Sequence, residues 1–239
     1  MKFANGVKYA LLASIIAVAM PANAQNILYR NDFNLGTDYF DQAITSSAFT
    51  ATRTAGDLSS FTLSDFDAVF YANQNSGAPA GDIAALASYI SGGGRVIFNN
   101  WLADSPPLDS TFTGNNNQTV LTLTQFTSGV ASPLSVVNPG WGTFSAGLMA
   151  TAGGTVAATF ENGDAAIVIG NGGRSIHNGF LTDTVDSSQL YANQFSFLFG
   201  SAGAVPEPAT WALMLFGFAF AGASLRRRKN KVTTTVSYA

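Results

Sequence analysis

The chain has 239 residues, 47% of them hydrophobic, with a single histidine and no cysteine, which excludes disulfides and any thiol nucleophile. Its formal charge is −3. Between Gln25 and Val205, however, four cations (Arg30, Arg53, Arg95, Arg174) face thirteen acids, so that part carries −9 and the basic residues concentrate at the two ends. Such a balance disfavours a nucleic-acid partner, because phosphate contact needs a basic face.

At the start of the chain, Lys2 and Lys8 precede an apolar run from Tyr9 to Met20, followed by Pro21-Ala22-Asn23-Ala24. A positive start, a short apolar core and an A-x-A exit predict a secretory signal peptide over 1–24. Ala22 and Ala24 form the cleavage signature, so the mature chain is expected to begin at Gln25. This reading implies passage through the Sec translocon and removal by signal peptidase.

Residues 25–203 are long enough for one domain with a real core. Ile27-Leu28-Tyr29 reads as a short strand. Asp38 to Ala48 places Tyr39, Phe40, Ala43, Ile44 and Ala48 at helical spacing, and Phe49 to Arg53 is a second short strand. Ala68 to Ala72 is apolar on both faces, as a central parallel strand requires. Asp82 is placed to cap or charge the start of a helix over Ile83 to Ser91, which Gly92-Gly93-Gly94 can stop in a left-handed conformation. Arg95 to Phe98 is the next strand. A phosphate-cradling loop runs from strand into helix. These glycines leave a helix, so a C-cap is the reading they favour.

From Trp101 to Gly154 the chain is rich in Gly, Asn, Thr and Pro and reads as long loops with a few inserted strands. Thr155 to Phe160, Ala165 to Gly170 and Arg174 to Phe180 are strand-like, with the hairpin signals Asn162-Gly163 and Asn171-Gly172 between them. Ser187 to Phe199 closes the domain as a helix. The predicted class is therefore α/β: a mostly parallel, flavodoxin-like sheet flanked by helices, with C-terminal β-hairpins, an N-terminal signal helix and a C-terminal membrane helix.

Pro208 to Leu225 contains no charge, and as a helix its 18 residues span roughly 27 Å, just under a bilayer core. Trp211 sits near the outer end. Arg226, Arg227, Arg228 and Lys229 follow as a membrane stop, and positive residues stay cytoplasmic, which puts the preceding domain outside the inner membrane. Val205-Pro206-Glu207-Pro208, the apolar segment and the basic end together resemble the PEP-CTERM sorting signal of Gram-negative bacteria. That resemblance covers 204–231 and leaves 232–239 as a short extension. It implies recognition at Pro206, Glu207 and Pro208 by an exosortase, transient anchoring, and a final place at the cell surface or in an exopolysaccharide-associated matrix.

A second resemblance lies in the domain itself. Leu63-x-x-Phe66-Asp67-Ala68-Val69, then Ala84-Ala85-Leu86-x-x-Tyr89-Ile90-x-x-Gly93-Gly94-x-Val96-Ile97-Phe98, is similar to class I glutamine-amidotransferase-like domains, as are Gly173-Arg174 through Asn178-Gly179-Phe180 and Leu190-x-x-Asn193-x-x-x-Phe197-Leu198. The catalytic members use a Cys–His–Glu set. Without cysteine, this chain is expected to be a non-catalytic relative.

Other chemistry is sparse. His177 could be drawn into a Ser-His-Asp set, but no G-x-S-x-G elbow exists and a lone histidine needs partners. Asp32-x-Asn34-x-Gly36-x-Asp38 has the wrong spacing for an EF-hand and lacks its terminal Glu. Neither metal nor cofactor is expected. In open α/β sheets, ligands sit beyond the carboxyl ends of the strands. Three such ends carry Asn31-Asp32, Asn73-Gln74-Asn75 and Asn99-Asn100-Trp101. Converging amides beside an indole suit an uncharged polar ligand such as a sugar, although the same residues are also good turn formers. The expected role is a binding or structural component, with a polysaccharide-active hydrolase as the alternative.

Overall fold

The computed structural model describes residues 24–75, 77–102, 105–137, 140, 145–200 and 236–238. Its elements in chain order are β1 (Asn26–Asn31), α1 (Tyr39–Thr45), β2 (Thr50–Thr54), β3 (Ala68–Asn73), α2 (Ala80–Ser91), β4 (Val96–Asn100), β5 (Ser110–Asn116), β6 (Val120–Leu123), β7 (Leu134–Ser135), β8 (Ala146–Ala150), β9 (Thr155–Phe160), β10 (Ala165–Gly170), β11 (Ser175–Asn178) and α3 (Ser188–Gly200). Five strands run parallel in the order β2-β1-β3-β4-β11, with Ile27 opposite Ala68, Val69 opposite Val96 and Ile97 opposite Ile176. Beyond β11 the sheet continues antiparallel through β10, β9, β6 and β7, and β8 joins β10 to β5.

The run Ala68–Asn73 is buried at every position because both faces of the parallel sheet are covered. Alternation sorts its side chains. Phe70 points to one side, into a cluster with Ile27, Phe40, Ile44, Ile97 and the α3 residues Tyr191 and Phe195. Val69 and Tyr71 point to the other, against Leu58, Leu86, Ile90 and Phe98. Aromatic stacking fixes both layers: Phe70 lies on Phe195 with centroids 4.9 Å apart, and Tyr71 on Phe98 at 5.1 Å.

The helix signals resolve unequally. Asp38 caps α1 by accepting from the Phe40 and Asp41 amides at 3.1 and 3.0 Å. Helix α2 stops at the glycines, Gly93 carrying a φ of +95°, as a C-cap should. Asp82 supplies the acidic residue of the first turn of α2, as one of its two expected roles required, but not the other. It makes no capping bond to α2 and turns into the core, accepting from Leu58 N at 2.8 Å and the Tyr71 hydroxyl at 2.9 Å. The stretch 101–154 contributes β5, β6, β7 and β8 to the sheet, in keeping with the few inserted strands expected there. Both late hairpins form where Asn-Gly predicts them. Gly163 has φ +93°, whereas Asn171 and Gly172 have +51° and +65° within a four-residue loop set by the pairing of Gly170 with Ser175.

Among the described residues no helix is long and apolar enough to cross a membrane. The expected signal core and the tail from Pro206 to Lys229 lie outside the described residues.

Candidate functional site

Of the predicted residues, the carboxyl ends of β1, β3 and β4 bring Asn31, Asp32, Gln74 and Trp101 into one hydrogen-bonded group. They meet beside the point where the chain, having placed β2 on one side of β1, crosses to β3 on the other, which is where open α/β sheets hold ligands. Gln74 is the hub. Its side-chain amide donates toward Asn31 Oδ1, the Phe33 carbonyl, Asn34 Oδ1 and Thr182 Oγ1, and its Oε1 accepts from Thr182 N. Asp32 accepts from the Gln74 and Asn75 amides, and Trp101 Nε1 donates to the Gln74 carbonyl at 2.9 Å. Asn73 Oδ1 takes a bond from Arg30, and Asn100 Oδ1 one from Leu102 N.

Much of this polar set is turned inward. Asn73, Gln74, Asn99 and Asn100 are buried. Asn99 Oδ1 accepts from Asn178 Nδ2 at 2.7 Å, and Asn178 and Gln194 exchange two amide bonds at 3.0 and 2.9 Å. These residues act as internal struts between strand ends, the loop after β1 and helix α3. Sequence reasoning missed Asn178, Thr182 and Gln194. Asn178 carried the same signal as the others, an amide at a strand end; Gln194 was legible only as a polar residue among the apolar positions of α3.

An accessible part remains at the carboxyl ends of β1 and β2. Asn31, Phe33, Asn34, Asp38, Asp41 and Arg53 line a cleft of about 310 Å³ there. Asp38 is fully engaged: besides capping α1, its Oδ2 accepts from the Tyr29 hydroxyl at 2.6 Å, from Asn31 at 2.9 Å and from Asn34 at 3.3 Å. Burial, reinforced by this carboxylate, pushes the Tyr29 hydroxyl well above its ordinary pKa, so it stays a proton donor. Asp32 faces β3 rather than Asn34 and Asp38, so the Asp32-to-Asp38 run does not gather its oxygens around one point.

His177 lies elsewhere, fully buried on β11. Its Nδ1 is 2.8 Å from Ser110 Oγ, and Phe98 and Phe112 pack edge-on against the ring. Its Nε2 has no hydrogen-bond partner among the described residues, and burial lowers its pKa to about 3, so the ring is neutral. On the same side of the sheet, Arg30 reaches Asp82 at 3.9 Å and sits 4.7 Å over the Tyr71 ring, while its Nη1 donates to Ala72 O at 3.1 Å. This charged group braces β1, β3 and α2 from within.

Comparison with known proteins separates the tail from the domain. Residues 204–229 match the PEP-CTERM protein-sorting motif. The motif marks an exported chain, anchored by its C-terminal segment before exosortase processing. No curated protein sequence matches the chain. Solved structures similar to the domain include the N-terminal domain of mmIFT52, with 15% identity and a TM-score of 0.53 over 73% of this chain and 97% of that one. A Thermoplasma acidophilum protein assigned as part of a GMP synthase has 10% identity and a TM-score of 0.51 over 76% and 97%. The carbohydrate deacetylase Agd3 has 11% identity and a TM-score of 0.52; the match covers 73% of this chain and 32% of that protein. At these identities the likeness is one of fold.

Proposed function

We propose that this is an exosortase-processed surface or matrix protein whose flavodoxin-like, amidotransferase-like domain serves as a non-catalytic binding or structural module. The observation that carries the non-catalytic part is the setting of His177. A buried, neutral imidazole touching Ser110 and two phenyl rings has, among the described residues, no carboxylate to orient it and no access to substrate. The fold family's usual nucleophile is a cysteine, which this sequence lacks. An exopolysaccharide is the partner the reading favours, supported by the sorting tail and by the occurrence of a similar fold within a carbohydrate deacetylase.

The test is expression of the full precursor in an exosortase-bearing Gram-negative host. A mature protein that begins at Gln25, has lost its tail and releases no reducing ends from polysaccharide supports the reading. Reducing-end release that His177→Gln abolishes would replace it with the hydrolase built on the Ser110–His177 contact. An intact Met1 start would overturn export.

A further inference from the structure

We propose that the cleft between α2 and the segment before β3 holds the sorting triplet of this same chain, with Glu207 against Arg95 and the flanking prolines against Phe66 and Tyr89. The inference concerns the tail and goes beyond the binding reading above.

The cleft has a volume of about 540 Å³ and lies at the amino ends of β3 and β4. Leu63, Phe66, Ala85 and Tyr89, all half-buried, line it, and Arg95 adds a cation. Tyr89 is fixed in place. Its hydroxyl donates to the Phe66 carbonyl at 2.9 Å, and a side chain on Gly94 would run into its ring, so only glycine permits that placement. Phe66 is braced in turn by Phe61, edge-on at 6.3 Å. Held aromatic side chains along a groove are what extended, proline-containing segments dock against.

Charge narrows the occupant. Of the four cations between Gln25 and Val205, Arg30 lies 3.7 Å from Asp32 and 3.9 Å from Asp82, and Arg53 bonds Asp41 at 2.7 Å. Arg174 donates to the Asn171 and Ile90 carbonyls, and a side chain on Gly93 would touch its Nη1, so it stands behind the same cleft. Arg95 makes no ion pair among the described residues, and Asp67, which also lines the cleft, accepts from the Asn26 amide at 2.7 Å. The two cations without a carboxylate thus gather at one pole of a part that carries −9. Beyond Asp186 the chain has a single acid, Glu207, and it stands between two prolines.

Helix α3 delivers the tail to this pole. Phe199 lies 5.2 Å from Phe49, the residue just before β2, and 5.9 Å beneath Arg95, the residue just before β4. The chain thus leaves the domain toward its tail from the amino ends of the strands. Seven residues carry it from Gly200 to Glu207, at most about 25 Å when extended, which is enough for Glu207 to return to Arg95. An exposed ion pair contributes only about 0–1 kcal/mol. A short link, however, supplies an effective concentration in the millimolar range, so the pair and the proline contacts together can hold the segment. While docked, the triplet is withheld from the enzyme that processes it, and the cleft slows tail removal.

The lack of cysteine makes the test direct. The full chain is exported in a host without exosortase, so that the tail stays on, with Ser88→Cys in the cleft and Ala204→Cys or Ala209→Cys beside the triplet. Export to an oxidising compartment lets a disulfide form where the two positions meet. Ala48→Cys in place of Ser88→Cys is the control, because Ala48 is exposed at the same pole, next to Phe49, but outside the cleft. A disulfide yield with Ser88→Cys in clear excess of the control is expected. Arg95→Glu should lower that yield roughly fivefold, the upper end for an exposed pair, and Arg95→Lys should keep it. In an exosortase-bearing host, Arg95→Glu should lose its tail faster than the unaltered protein in a pulse-chase. Protease resistance of the domain establishes that the variants are folded. Equal yields at the two positions, or no disulfide at either, overturn the docking. An excess that survives Arg95→Glu overturns the role of Arg95, and tail removal at the unaltered rate overturns the withholding. None of these outcomes bears on the carbohydrate reading.

Discussion

Gln74 and Thr182, 108 residues apart, clasp each other: the Gln74 amide donates to Thr182 Oγ1 at 3.0 Å, and Thr182 N returns a bond to Gln74 Oε1 at 3.2 Å. The clasp ties the end of β3 to the segment that follows β11, and through Asn31 and Asn34 it also holds the loop after β1. Replacing Gln74 with Leu leaves the buried Thr182 amide without this partner. An unsatisfied buried group costs about 1–3 kcal/mol, which is the loss expected. Urea unfolding of Gln74→Leu should show a lower midpoint at an unchanged slope. An unchanged midpoint would mean that the amides are interchangeable with packing.

Asp82 makes a second buried tie between distant segments, with Arg30 3.9 Å away. Asp82 satisfies Leu58 N and Tyr71, and its removal would leave the nearby Arg30 guanidinium buried without that carboxylate. Asp32 stays 3.7 Å from Arg30, so the cost of Asp82→Ala comes mainly from the Leu58 amide and the Tyr71 hydroxyl and should be about 2–4 kcal/mol. Asp82→Asn, which keeps an acceptor, should cost less. Equal midpoints for the two variants in chemical denaturation would contradict that hydrogen-bonding role.

The fate of Asp82 illustrates how legibility divided between local and long-range features. The central strand, the glycine stop after α2, the Asp38 region and the two Asn-Gly turns were readable because each is decided by a few neighbouring residues. The direction of Asp82 was not, since its position in the first turn of a helix is compatible with capping. Its inward partners are Leu58 N and the Tyr71 hydroxyl, 24 and 11 positions earlier, with Arg30 nearby, and no local pattern connects them to it. The strands between Trp101 and Gly154 were expected but not located, for a related reason: Val120–Leu123 and Ser110–Asn116 are half-exposed or more, and acquire strand character by pairing with β9 and β8. At the site, the strand-end amides were legible as a group. Whether they would face outward or toward each other was not, because that depends on Thr182 and Gln194 arriving from the end of the domain.

His177 should make the protein acid-sensitive before its carboxylates do. Its folded pKa is lowered to about 3 by burial, against about 6.5 in an unfolded chain. Between those values the unfolded state holds a proton that the native state does not, so unfolding becomes easier as pH falls. This contribution to stability is fully present above about pH 6.5 and is lost progressively toward about pH 3. Between pH 7 and pH 5 the loss attributable to this ring is about 2 kcal/mol. His177→Gln, which can still bond Ser110, should flatten the stability curve over that interval. An identical pH dependence in both proteins would show that the ring reaches solvent.

The last prediction concerns the junction between domain and tail. α3 ends at Gly200, and Ser201 to Val205 are all that separate it from Pro206. A fully extended segment of that length spans at most about 18 Å, so an enzyme acting at Pro206-Glu207-Pro208 must work close to the amino-end pole of the domain. Proline lacks the helical donor and restricts the residue before it. Replacing all three residues with alanine removes both the charge and the restriction. Export should be intact, because residues 1–24 are unchanged, but the tail should no longer be removed. The protein is then expected in the inner membrane fraction, with the mass of the chain from Gln25 to Ala239. Fractionation and intact-mass measurement in an exosortase-bearing host check this. Release of the triple-alanine protein at the wild-type rate would reduce the triplet to a linker and move recognition to the apolar segment or the arginines behind it.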